Sequence, residues 1–157
     1  MPLAICRIQK IKNWGMLTGN EAHTARERET PNANPEVTNI RIIGDSSYQD
    51  LATLVREIIG SQKFRSYAVL AVDMLLSASA SYFRPDAPHE AGTYDKQCVD
   101  RFVETTVNWL HSSWGDRVVR AELHLDEITP HIHAYIVPLD ERGKLNCRSL
   151  FGGRAKL

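Results

Sequence analysis

The sequence predicts an α/β domain in which helices cover one face of a mainly antiparallel sheet and the other face stays open. Three observations carry this: two alternating segments near the end of the chain, a strongly apolar run at its centre, and two stretches with apolar residues at helical spacing. The first strand spans roughly residues 3–12, followed by a polar loop to about residue 36 that contains Pro31 and Pro35. Leu51, Leu54, Val55, Ile58 and Ile59 recur at helical spacing and predict an amphipathic helix over about 47–60. Tyr67 to Leu76 reads as a central strand, and Ser81 to Gly92, with Pro85 and Pro88, as a loop. A second helix is expected over about 94–113, with Cys98, Phe102, Trp109 and Leu110 as inward positions. Residues 118–125 alternate, with Val119, Ala121, Leu123 and Leu125 on one face and Arg120, Glu122 and His124 on the other. Ile132, Ala134 and Ile136 then share a face opposite His131 and His133, so a loop containing Pro130 joins two antiparallel strands.

This last pair of strands carries the chemistry. Three of the six histidines lie between positions 124 and 133, with Asp126 and Glu127 among them. Side chains two apart on a strand point the same way, so His131 and His133 project together, and His124 joins them on the open face. Neutral imidazoles are metal ligands, and a set of three leaves coordination positions open, as catalytic sites require. Ligand type alone does not choose between manganese, zinc, cobalt and nickel.

The His-apolar-His pair resembles the signature of the HUH endonucleases, which nick single-stranded DNA. The fuller string His124-x-Asp126-Glu127-x-Thr129-Pro130-His131-x-His133 resembles the plasmid mobilisation relaxases of the Mob/Pre (MobV) family. The opening Ala4 to Lys12, the segment His23-Thr24-Ala25-Arg26 and the tail from Gly143 to Arg154 are also similar to that family, in the same order. Of these, the three-histidine string is the specific one. At Asn39-Ile40-Arg41-Ile42 the chain departs from the family, which tends to have a His-Leu-Asn-like stretch there. The resemblance implies an HUH relaxase-like fold with its metal on the open face, and relatives that continue past Arg154 make residues 1–157 a relaxase domain before a C-terminal region.

It also implies an activity: metal-dependent, strand-specific nicking and rejoining of DNA at a plasmid origin of transfer. The expected metal is divalent, manganese ahead of magnesium, zinc, cobalt and nickel. The expected partner is DNA, as a single strand or an origin hairpin. Relaxases carry their nucleophile before the metal motif, and no tyrosine precedes Tyr48, so the resemblance points to His23, with Tyr48 as the fallback. Glu127 and Asp126 are placed to accept hydrogen bonds from His23 or from a ligand histidine, fixing its tautomer. Arg26 and Arg28 suit a phosphate, because guanidinium pairs with it bidentately. Arg7, Lys10, Lys12, Arg41 and Arg154 are further DNA-contact candidates, which requires the two ends of the chain to converge near the metal. Trp14 is a candidate base-stacking platform. The rival readings are a tyrosine-using HUH transposase or rolling-circle initiator, a non-catalytic DNA-binding module with a retained metal site, and a hydrolase of small phosphoesters.

Composition sets outer bounds. At 157 residues and 43% hydrophobic content the chain suits one domain with a real core. A formal net charge of zero argues against indiscriminate nucleic-acid binding and makes any basic groove local. No apolar run reaches membrane-spanning length and no signal-peptide pattern opens the chain. Cys6, Cys98 and Cys147 have neither disulfide nor metal spacing, in keeping with a reducing, cytoplasmic setting.

Overall fold

The computed structural model describes residues 1–26, 33–44 and 50–152. Ala4–Ile11 forms β1 and Trp14–Thr24 forms α1; Ile40–Ile43 is β2, Leu51–Ile59 is α2 and Ala71–Ala78 is β3. A short α3 (Ala80–Phe83) precedes the long α4 (Lys96–Trp114). Val118–His124 and His131–Ile136 are β4 and β5, and Cys147–Phe151 is α5. The five strands form one antiparallel sheet in the order β1-β3-β5-β4-β2. The histidine hairpin thus lies at the centre of the sheet.

Local chemistry sets the element ends. Asp50 caps α2 by accepting from the Thr53 backbone N–H at 2.7 Å, and Asp95 caps α4 by accepting from Gln97 and Cys98. Gly115, with φ 53°, ends α4 in a conformation that side chains disfavour. α1 occupies part of the stretch where the sequence predicts a loop. Its buried residues are Leu17, Glu21 and Thr24, two of them polar, and Gly15 and Gly19 dilute it further. No apolar stripe therefore marks it, and its start is secured instead by Asn13, which accepts from the Met16 N–H at 2.8 Å. Trp14 opens this helix, and the Arg56 guanidinium lies over its ring at 4.2 Å.

The helices cover both faces, not one. On one face α4 packs Val99 and Leu110 against Met74, Leu76, Leu123, Ile132, Ala134 and Ile136. On the other, α1 and α2 bring Leu17, Leu51, Val55 and Ile59 onto Ile11, Ala71, Tyr135 and Val137. Only the histidine end of that second face stays open. A register shift between Val118 and Arg120 turns Val119 toward the α1–α2 core, whereas simple alternation puts it with Ala121 and Leu123. Trp109, expected inside, is 43% exposed, because α4 directs Val99, Thr106 and Leu110 inward instead.

Candidate metal centre

His124 and His131 are direct partners across β4 and β5, and His133 lies two residues along the same face. The three rings sit 5.0–5.3 Å apart, centroid to centroid, and one nitrogen from each lies within 4.8 Å of the others. What the remaining ring nitrogens bond to fixes the tautomers. His133 Nδ1 donates to Asp73 Oδ1 at 2.9 Å, and His131 Nδ1 donates to the Thr129 carbonyl at 2.9 Å. His124 Nε2 donates to the Thr24 carbonyl at 2.8 Å, while its Nδ1 accepts from Arg26 Nη2 at 3.2 Å. His131 and His133 are thus left with a lone pair on Nε2, whereas the lone pair of His124 Nδ1 meets Arg26. The Glu127 carboxylate Oε2 stands 3.1 Å from His131 Nε2 and 3.7 Å from His124 Nδ1. Arg26 Nη2 already lies between His124 Nδ1 and Glu127, but His131 Nε2 and Glu127 Oε2 face each other as two acceptors, an arrangement that a divalent metal would relieve. Burial, reinforced by the neighbouring histidines, pushes the His131 pKa below its ordinary value, which keeps that imidazole neutral for ligation.

The end of α1 closes the site. Its last carbonyls have no partner within the helix; that of Thr24 accepts from His124, and that of His23 accepts from Arg26 Nη1 at 3.0 Å. Arg26 has φ 57°, a left-handed conformation costing an L-residue roughly 1–2 kcal/mol. Every guanidinium nitrogen is engaged: Nε with Asp126 Oδ2 at 2.7 Å, Nη2 with Asp126 Oδ1 at 2.8 Å and Glu127 Oε2 at 2.9 Å, and Nη1 with His23. In this geometry Arg26 positions two carboxylates and the His23 backbone. Burial raises the Asp126 and Glu127 pKa values, but Arg26 outweighs it, with help from Asn39 at Asp126, so both carboxylates lie below their ordinary range. His124, Asp126 and Glu127 form a second convergent group, but its two carboxylates are already bound to Arg26.

Arg7, Leu75, His133, Glu122 and Arg41 form one row across all five strands, on the face of the metal centre. Arg7 and Arg41 thus flank His133 from the two edges of the sheet. Arg41 Nη2 contacts Glu122 at 2.7 Å and borders a cleft of about 450 Å3 also lined by Thr24, Arg26 and Asn39. Burial raises the Glu122 pKa, yet His124 and Arg41 outweigh it and hold the carboxylate below its usual range. Lys10 does not join this group: it points to the α4 face, where its Nζ donates to the Gly152 carbonyl at 2.8 Å. Lys12 lies with it near Cys147. The tail, as far as Gly152, therefore docks beside Lys10 on the α4 face. Arg28, Tyr48 and Arg154 lie outside the described residues. A second cleft of about 450 Å3, between the start of β1 and α4, is mostly apolar, and no group of metal ligands lines it among the described residues.

Two residues escaped the sequence reading. Asp73 is 8% exposed and orients His133; its signal was a single carboxylate inside the apolar run Val72 to Leu76. Glu21 ties α1 to the rest, accepting from Arg120 Nη1 at 3.1 Å and from the Leu51 N–H at 2.8 Å. Nothing local in the sequence marks that role. Tyr135 shares the strand face of the histidines but is fully buried, with its hydroxyl 2.9 Å from Thr24 Oγ1. Burial, with Asp73 nearby, pushes its pKa well above the ordinary phenol range.

Sheet, histidine hairpin and docked helix together define a relaxase-type fold. The solved MobM relaxase domain superposes with a TM-score of 0.76 over 98% of this chain and 78% of that chain, at 24% identity. That structure is Mn-bound and holds origin-of-transfer DNA of plasmid pMV158. The Mob_Pre family, described as plasmid recombination enzyme, matches residues 1–157, and the chain belongs to it. A plasmid recombination enzyme from a Bacillus species is 31% identical over 163 residues, covering 96% of this chain and 36% of the relative. The type 2 enzyme of Staphylococcus aureus is 30% identical over 162 residues (96% and 36%), and the type 3 enzyme 26% over 167 residues (100% and 38%). The chain thus spans little more than a third of these relatives. Among the described residues, no helix is long and apolar enough to cross a membrane.

Proposed function

We propose that residues 1–157 form a relaxase domain that nicks one DNA strand at a plasmid origin of transfer and rejoins it through a covalent histidine–DNA intermediate. One observation carries this reading: the end of the helix bearing His23 is hydrogen-bonded to a metal-ligand histidine through the Thr24 carbonyl. A neutral His23 imidazole attacks the scissile phosphorus, a P–N bond forms, and the bond to the 3′ oxygen breaks. That oxygen leaves as a hydroxyl after gaining a proton, and the 5′ end stays on the protein as a phosphoramidate. The reverse attack by the 3′ hydroxyl reseals the strand and releases the histidine. His124, His131 and His133 would hold the divalent ion, Mn2+ by analogy with the solved relaxase domain. Bound there, such an ion supplies Lewis-acid stabilisation of charge on the phosphodiester. Arg26 keeps His23 and Glu127 in register, and Arg7 and Arg41 meet the strand at either edge of the sheet.

The test incubates the protein with randomised single-stranded DNA and Mn2+, then isolates covalent adducts by denaturing electrophoresis and maps them by mass spectrometry. An adduct on His23, absent from His23→Ala, is the expected result. An adduct on a tyrosine would overturn the histidine mechanism. Metal-dependent binding without any adduct would favour a non-catalytic DNA-binding module.

A further inference from the structure

The loop between β4 and β5 is pinned along its whole length. Asn39 accepts from the Leu125 N–H at 2.9 Å, and Asn34 donates to the Asp126 carbonyl. The Ile128 carbonyl accepts from the Gly92 N–H at 2.9 Å and from Arg84 Nη1 at 2.9 Å. The Thr129 carbonyl accepts from His131, and the Pro130 carbonyl from Ser77 Oγ at 2.8 Å. Arg84 is itself buried, at 6% exposure, and also donates to the Pro88 and Thr93 carbonyls. A buried guanidinium is thus committed to backbone carbonyls, one of them at the loop's centre, a costly arrangement whose effect is rigidity. Of residues 125–130 only Ile128 is exposed, at 63%, and it directly follows Glu127 of the metal centre.

We propose that Ile128 is an apolar wedge that presses on a base of the bound DNA strand next to the scissile phosphate. The inference rests on the nuclease reading above. Apolar side chains inserted between base steps partly unstack them and kink the nucleic acid, and a kink beside Glu127 would turn the backbone toward the histidines. The hydrogen bonds around the loop fix the wedge before DNA arrives, so its burial is not offset by ordering of the loop. Arg84 is the positioning residue for it.

The test uses the oligonucleotide that the native protein cuts in the randomised-strand experiment, with 2-aminopurine placed on either side of the cut. The native protein should raise the fluorescence at one flanking position on binding, the signature of an unstacked base. Ile128→Ala should abolish that rise and raise the Kd for the strand about tenfold, by loss of one largely buried aliphatic contact. Mn2+ affinity should be unchanged, because the side chain is no ligand, and Ile128→Leu should restore the signal. Native cutting with Ile128→Ala matching it in both Kd and fluorescence would overturn the wedge alone. A native protein that neither binds nor cuts any strand would overturn the nuclease reading, and the wedge with it.

Discussion

The carboxylate of Asp73 should set how tightly the centre holds its metal. It accepts from His133 Nδ1 at 2.9 Å and from Asn20 Nδ2 at 3.3 Å, and is shielded between the sheet and α1. Its effect on the metal is indirect: it holds the proton on Nδ1, leaves the lone pair on Nε2 and makes the ring a stronger donor. Asp73→Asn preserves an acceptor oxygen, so the tautomer survives and only the charge is lost. Asp73→Ala removes both and frees the ring to rotate. Losses of such partners weaken metal binding by about tenfold to a hundredfold, or roughly 1.4–2.8 kcal/mol. Asn should fall near the lower end and Ala near the upper. Calorimetric titration of Mn2+ into the native chain and both variants at one ionic strength measures this, with urea unfolding as an independent check on folding. Equal Mn2+ affinity for native and Ala, or weaker binding by Asn than by Ala, would refute the argument.

Three further outcomes follow from the same contacts. Glu21→Ala should cost roughly 3 kcal/mol in urea unfolding, because it breaks a buried pair with Arg120 and removes the acceptor at the start of α2; Glu21→Gln, which keeps an acceptor for Leu51, should cost less. Tyr135→Phe should lose about 1 kcal/mol near neutral pH with the Thr24 hydrogen bond, and leave any DNA adduct intact. The raised Tyr135 pKa means the native state retains a proton that the unfolded state loses. Stability from this group is therefore complete below about pH 10 and declines as pH rises above it, and the Phe variant should flatten that alkaline slope in unfolding measured across pH. Arg26→Lys should slow single-turnover adduct formation about tenfold to a hundredfold, since one ammonium cannot replace a guanidinium bonded to two carboxylates and a carbonyl.

The parts legible from the sequence were those with a periodic or compositional signature. Alternation through residues 118–125 and 131–137 predicted the histidine hairpin and put the three imidazoles on one face, as the β4–β5 register has them. Leu51, Val55 and Ile59 predicted α2 because their spacing makes an apolar stripe. α1 left no such trace, since it buries Glu21 and Thr24 beside Leu17 and bonds through those polar groups. With α1 unseen, nothing signalled that a second pair of helices would cover half of the face taken to be open. Arg26 suits a phosphate when only its residue type and charged neighbours are considered. Its actual partners, Asp126 and Glu127, lie a hundred positions away, a distance no local pattern spans.

That long-range knot explains how a polar, weakly patterned helix becomes part of a precise site. The carbonyls at the end of α1 carry partial negative charge and lack partners within the helix. The protein supplies two donors, His124 and Arg26, so the helix end is docked by groups belonging to the metal centre. Loss of the donor at His124 would free the Thr24 carbonyl and, through it, the turn that carries His23. His124 uses both ring nitrogens at this corner, Nε2 on the Thr24 carbonyl and Nδ1 on Arg26 Nη2, and the two contacts fix its ring orientation. The hydroxyl of Thr24 meanwhile meets Tyr135, anchoring the same residue to the floor of the sheet. Thr24 is thus the joint between core and chemistry. A change there should disturb stability and metal binding together, whereas Asp73, whose carboxylate bonds the candidate ligand His133 and Asn20, should disturb the metal far more than the fold.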